Sequence, residues 1–260
     1  MDSIPKLLYK YRDWSNPFQK RLLTDVEIYL SAPNQFNDPF DAAIPFRYDE
    51  NDLTPENIFL KYLEVGKREY PKHNETQLHE LAFDYQRRNL LFDEHHLEEQ
   101  NSIMQREFNK QYGILSLCDN KNNFLMWSHY SNSHKGFCVG FDSEKLFEQT
   151  TGQIGPVIYQ DEFPKFGLFE DLIHQSIKAT YTKSSIWAYE KEWRIMKAKI
   201  SNRIVKLQNE TIKEIILGNK MAQSEKFTII ELAAKQFPGA EVYEIKMHKT
   251  KFQLELQRVR

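Results

Sequence analysis

The run "IWAYEKEWRIM", residues 186–196, sets Glu190, Glu192 and Arg194 at alternate positions. In an extended strand these three side chains project from one face, while Trp193 and Ile195 point to the other, into a core. Two carboxylates on one face can form the charged end of an active site. They can equally form an intra-sheet ion pair with the arginine, worth roughly 0.2–1 kcal/mol. The residues themselves leave both readings open, and two like charges side by side require a cation nearby.

A second group of chemistry-bearing residues lies in "FLMWSHYSNSHKG". Asn122 or Asn123 can cap a short helix there and Gly136 can end it. On such a helix Met126, Tyr130 and His134 share a face, with Trp127 beside them. Ser128 lies roughly 200° from Tyr130 at about 100° per residue, so both cannot point into one pocket unless the helix breaks. Trp127 and Met126 read as core; Tyr130 and His134 carry polar tips near the helix end. His129, His134, Cys118 and Cys138 match no zinc-ligand spacing.

Further upstream, "FNDPFD" clusters Asn37, Asp38 and Asp41, whose side chains commonly bond their own backbone in turns. "LCDNK" adds Asp119 and Lys121 after an apolar strand. Together these mimic the arrangement of a Mg²⁺-dependent nuclease, in which carboxylates hold the metal and lysine stabilises developing charge. No glycine-rich phosphate loop, dinucleotide fingerprint, nucleophile elbow or H-E-x-x-H motif occurs in the sequence.

Several elements must position these residues. "KLLYKYR" alternates, with Leu8, Lys10 and Arg12 on one side and Leu7, Tyr9 and Tyr11 on the other. Helical spacing over 54–111 opens with Thr54 as N-cap and Pro55 at the first helical position. We read it as a helical insertion within a single domain spanning 1–260. Strands and helices then mix without regular βαβ alternation, which predicts an α+β fold. The formal net charge of −2 over 260 residues gives no global attraction to nucleic acid. The two cysteines, Cys118 and Cys138, read as buried free thiols of a cytoplasmic protein, and no apolar run approaches membrane-spanning length.

Four pieces, "LYKYR", "SAPNQFNDPFD", "LMWSHYSNSHKGFCVGFD" and "WAYEKEWR", together resemble the bacterial family catalogued as domain of unknown function 2971. Their order is also similar to that of ADP-ribosyltransferases. Those enzymes carry an early-strand Arg or His, a middle Ser or Tyr element, and a late strand with a catalytic Glu, often as Glu-x-Glu. The second resemblance implies a central, mostly antiparallel sheet and NAD as substrate, with no metal. It implies Arg12, with Tyr11, and Ser128, His129 and His134 as NAD-holding residues, and Tyr130 stacking on nicotinamide. Glu192 would be the catalytic carboxylate and Glu190 its helper, with Ser128 and Tyr130 competing for the middle role. An NAD-consuming toxin or phage-defence effector would add an acceptor protein or nucleic acid and an antitoxin or defence partner. The alternatives are the nuclease built on Asp119 and Lys121, and a non-catalytic binding module whose charged rows are structural.

Overall fold

The computed structural model describes residues 3–260. Twelve strands are present among the described residues: β1 (Leu7–Arg12), β2 (Glu27–Tyr29), β3 (Gly113–Cys118), β4 (Phe137–Asp142), β5 (Gln153–Pro156), β6 (Ile158–Gln160), β7 (Thr182–Ser184), β8 (Glu192–Lys197), β9 (Ile204–Lys206), β10 (Ile212–Leu217), β11 (Glu241–Met247) and β12 (Leu254–Arg258). Eight α-helices join them: α1 (Arg21–Thr24), α2 (Pro55–Glu69), α3 (Glu75–Arg87), α4 (Glu94–Gln111), α5 (Phe124–Tyr130), α6 (Ser143–Thr150), α7 (Leu172–Thr180) and α8 (Gln223–Gln236).

Eight strands form one open sheet in the order β12-β11-β10-β4-β1-β3-β8-β5. Every neighbouring pair is antiparallel except β10 with β11. The fold is α+β with a large, mostly antiparallel sheet. Pro156, which has no N–H to donate, sits at the end of the edge strand β5, where the missing donor costs least.

Alternation along the strands divides the buried residues between two faces. Leu8, Leu115, Leu117, Val139, Trp193, Ile195 and Ile215 pack with α8 residues Ile229, Ala233 and Phe237 on one side. Tyr9, Tyr11, Cys118, Cys138 and Ile216 pack with Met126 and Trp127 of α5 on the other. Thr54 caps α2 by accepting from the Asn57 amide at 3.2 Å, and α2, α3 and α4 occupy the stretch between β2 and β3.

The sheet is not continuous. β1 and β3 are registered through one residue pair only, Tyr9 with Cys118. By contrast, β1 pairs with β4 along its whole length and β3 does so with β8. Beyond Tyr9 the two strands part, and Ser31, arriving after β2, takes the edge of β3 by bonding Ile114 in both directions at 2.8 Å. The gap between β1 and β3 is where the cleft described below enters the molecule.

The far side of β1 is held by a close approach. A Cβ on Gly136 would lie 2.0 Å from the Arg12 carbonyl oxygen, inside any permitted contact. Gly136→Ala must therefore push β4 away from the end of β1. Overpacking of this kind costs about 1–3 kcal/mol, so the variant should melt at a lower midpoint than the wild type by circular dichroism.

Candidate functional site

The glutamate-rich run is not one uninterrupted strand. Residues 185–190 form a 3₁₀ turn, Lys191 adopts a left-handed conformation at φ 45°, and β8 begins only at Glu192. The expectation that Glu190, Glu192 and Arg194 share a strand face is thus corrected for Glu190, which approaches from the turn. Glu192 and Arg194 do alternate with Trp193 and Ile195, whose side chains enter the opposite core.

Lys183 on β7 supplies the cation that the two carboxylates require. Its Nζ donates to Glu190 Oε2 at 2.6 Å and to Glu192 Oε2 at 3.0 Å, and lies 3.4 Å from Asp41. Arg194 donates through Nε to Glu192 Oε1 at 2.7 Å and through Nη2 to Glu192 Oε2 at 3.0 Å. Nη2 also reaches Asp41 at 2.7 Å, and Nη1 bonds the Thr180 carbonyl. All five side chains are buried, Arg194 completely. Nothing in the sequence around Lys183 marked it, because its partners come from other elements. Asp41, read as a turn residue or a metal ligand, is instead a buried partner of Arg194.

The two glutamates differ in what they have left to offer. A carboxylate has about four acceptor positions. Those of Glu192 take two hydrogen bonds from Arg194 and one from Lys183. Burial disfavours its charge, but Arg194 and Lys183 overcome that and hold its pKa well below the usual carboxylate range. Glu190 accepts from Lys183 and, through Oε1, from the Tyr130 hydroxyl at 2.6 Å. Burial dominates here and, with the nearby charge of Glu192, leaves the Glu190 pKa raised despite Lys183. The three carboxylates also outnumber the two cations.

These carboxylates line a cleft of about 390 Å³. Tyr9, Lys10, Tyr11 and Arg12 all line it as well. Four consecutive strand residues cannot reach one face of a closed sheet, since their side chains alternate. They do so here because the sheet is open beside them. Lys10 bridges the opening to the Ser116 carbonyl. Burial and the neighbouring Arg12 push its pKa well below the usual lysine value. Arg12 has no carboxylate within ion-pairing distance among the described residues, and burial pulls its pKa down to about 10. Glu192 and Glu190 lie near enough to Lys10 to offset part of the downward push on its pKa, so cations and carboxylates share the cleft.

Helix α5 forms a third wall. Asn123 caps it, accepting from the Leu125 and Met126 amides at 2.9 and 3.2 Å. Met126, His129 and Tyr130 face the cleft. Tyr11 stands edge-on to Trp127, ring centroids 5.1 Å apart, with its hydroxyl on the Asn120 carbonyl at 2.8 Å.

The helix stops at Tyr130 rather than running to Gly136. Asn132, Ser133 and His134 all have positive φ, which turns His134 away from the face it was expected to share with Met126 and Tyr130. His134 is buried against Phe124 and Trp127 and lies 3.0 Å from the Ser128 hydroxyl. Neither Ser128 nor His134, expected to hold the ligand, lines the cleft; of the two competing middle residues, Tyr130 faces it.

The nuclease arrangement is not assembled. Lys121 is paired with Glu214 at 2.8 Å, between the rings of Tyr9 and Tyr243, and Asp41 is committed to Arg194. Among the described residues no group of three or more His, Cys, Asp or Glu side chains is arranged to hold a metal ion. Cys118 and Cys138 are free and buried, and burial pushes the Cys118 thiol up to about 12. No described helix is long and apolar enough to cross a membrane.

Fold and site define an α+β protein with an opened, mostly antiparallel sheet and a cleft lined by both cations and carboxylates. The family model described as "Protein of unknown function (DUF2971)" matches residues 126–195. The resemblance to that family is thereby shown over this span. It contains Tyr130, Lys183, Glu190, Glu192 and Arg194, and leaves Arg12 and Asp41 outside. No curated protein and no solved structure matches the chain.

Removing Lys183 tests the account of the buried cluster. Lys183→Met leaves three buried carboxylates facing one guanidinium, a change that costs about 3–5 kcal/mol. Without the ammonium the Glu190 pKa rises further above its unfolded value. The folded variant then binds more protons than the unfolded chain, so its stability increases as pH falls toward the ordinary carboxylate range. Chemical denaturation at pH 7 and pH 5 should show a large deficit relative to wild type that narrows at the lower pH.

Proposed function

We propose that the chain is an NAD-consuming enzyme of ADP-ribosyltransferase type, transferring ADP-ribose to an acceptor or to water. The observation that carries this reading is the lining of the cleft, which brings Arg12, without an ion-pair partner, and Lys10 into one space with Tyr130 and Glu190. NAD carries charges that such a lining can meet, an anionic pyrophosphate and a cationic nicotinamide ring.

In this reading Arg12 takes the pyrophosphate by charge-assisted hydrogen bonds, assisted by Lys10. Tyr130, Tyr11 and His129 bound the nicotinamide end. The nicotinamide–ribose bond breaks with its electron pair leaving on nicotinamide, and positive charge develops at the ribose carbon. A carboxylate aimed at that carbon stabilises it electrostatically. Water or an acceptor nucleophile then forms the new bond, and its proton passes to a carboxylate. The free acceptor positions and raised pKa of Glu190 suit it to that step better than Glu192, whose oxygens already serve Arg194 and Lys183. Glu192 becomes the fixed anion that orients Lys183, reversing the roles implied by the sequence resemblance.

The hydrogen bonds that Glu192 already accepts favour a second reading, in which the whole cluster is structural and the cleft only binds. Nicotinamide release from NAD separates the two. Glu190→Gln should lower the rate by on the order of 10²–10³, the loss seen when a transition-state charge partner is removed. Arg12→Ala should act mainly on KM. Undiminished release in both folded variants, or none from the wild type, sinks the catalytic reading.

The pH profile supplies an independent check. The Tyr130 hydroxyl donates to the ionised form of Glu190 and so lowers its pKa. Tyr130→Phe should move the acid limb of kcat/KM to higher pH, since the carboxylate then holds its proton longer.

A further inference from the structure

A second cavity, of about 500 Å³, opens on the other side of Arg12. Arg12 and Ser31 border both it and the first cleft. Its volume falls within the range of about 300–1,000 Å³ common for small-molecule sites. Its lining is of a different kind, with Phe18, Tyr29 and Ile204 supplying apolar surface around one acidic side chain, Glu27.

Phe18 is 80% exposed, an unfavourable placement for a phenyl ring unless something covers it. It is not on a floppy loop. Its amide donates to Asn16 Oδ1 at 2.9 Å, the Asp13 amide donates to Gln19 Oε1 at 2.7 Å, and the Ser15 amide donates to Asp13 Oδ1 at 2.9 Å. Trp14 anchors the same turn edge-on against Phe137 in the core, ring centroids 5.7 Å apart. The backbone that carries the ring is thus pinned beside the cavity. Glu27 is oriented by Arg21, whose Nη2 lies 2.6 Å from its Oε2.

We infer that this second cavity is a nucleoside-diphosphate base subsite, in which a purine lies against Phe18 and Tyr29 while its diphosphate sits on Arg12 at the junction with the first cleft. Apolar rings bracket a flat base, and Glu27 can accept from its exocyclic amine or from a ribose hydroxyl. The unpaired guanidinium lies where the diphosphate must pass between the two cavities. The inference rests on the dinucleotide reading for the direction of the ligand, and adds the residues that hold its far end.

Calorimetric titration of the intact protein with ADP, and separately with nicotinamide mononucleotide, tests it. Wild type should bind ADP. Phe18→Ala, a change at an exposed position, should weaken ADP on the order of tenfold, the usual effect of losing one base-stacking ring. Binding of nicotinamide mononucleotide should be unchanged in that variant. Equal ADP affinity in variant and wild type, absence of ADP binding at millimolar concentration, or equal loss of both ligands would each overturn the subsite. If ADP binds through Phe18 but NAD is never cleaved, the catalytic reading fails and the subsite stands. If NAD is cleaved with a KM indifferent to Phe18→Ala, the subsite fails and the catalytic reading stands.

Discussion

The architecture around the cleft depends on one buried arginine. Arg194 is completely enclosed, and an enclosed guanidinium must find anions and carbonyls or forfeit several kcal/mol of hydration. It finds Glu192 two residues away, Asp41 from the loop after β2, and the Thr180 carbonyl at the end of α7. Those demands draw three distant parts of the chain to one point. Lys183 answers the remaining carboxylate charge, and Phe36 lies over the guanidinium at 5.2 Å, bringing the same loop to the cleft wall. The charge count then leaves one carboxylate in excess. Glu190 and Asp41 share it, and burial leaves the pKa of each raised.

The opened sheet is the second constraint, and it acts with the first. A continuous β1–β3 ladder would pair the backbone groups and send Lys10 and Arg12 to one side and Tyr9 and Tyr11 to the other. Registering β1 with β3 only at Tyr9 and Cys118 lets all four line the cleft. The cost is an interrupted ladder. It is offset by the full pairing of β1 with β4, by Ser31 on the edge of β3, and by Lys10 reaching the Ser116 carbonyl.

Features written in local spacing were legible in the sequence. The alternation of β1, the Thr54 and Asn123 caps and the strand character of Glu192–Ile195 all follow from periods of two or from a cap beside an apolar run. The need for a cation near the glutamates was also legible, though not its identity. Lys183 stands in "TKSS" with no pattern of its own, and its role exists only once β7 lies beside the turn and β8. Glu190 and His134 were misplaced for one reason: Glu190 directly precedes, and His134 lies within, non-glycine positive-φ backbone, at Lys191 and at Asn132–His134. Such conformations are uncommon outside glycine and carry no strong local signal.

The proposed ligand role would account for a distribution of charge that stability alone does not explain. Buried ion pairs are seldom better for stability than apolar residues of similar size, so a cluster of five is poor value for folding alone. Arg12 is harder still to justify structurally. It is close enough to Lys10 to depress the Lys10 pKa, which Glu192 and Glu190 only partly offset, and it has no carboxylate within ion-pairing distance among the described residues. A fold gains nothing from two adjacent half-buried cations, whereas a bound anion between them relieves both their repulsion and their desolvation. The carboxylate cluster presents the converse, with one negative charge more than its cations balance. A ligand anionic in its middle and cationic at one end removes both imbalances at once.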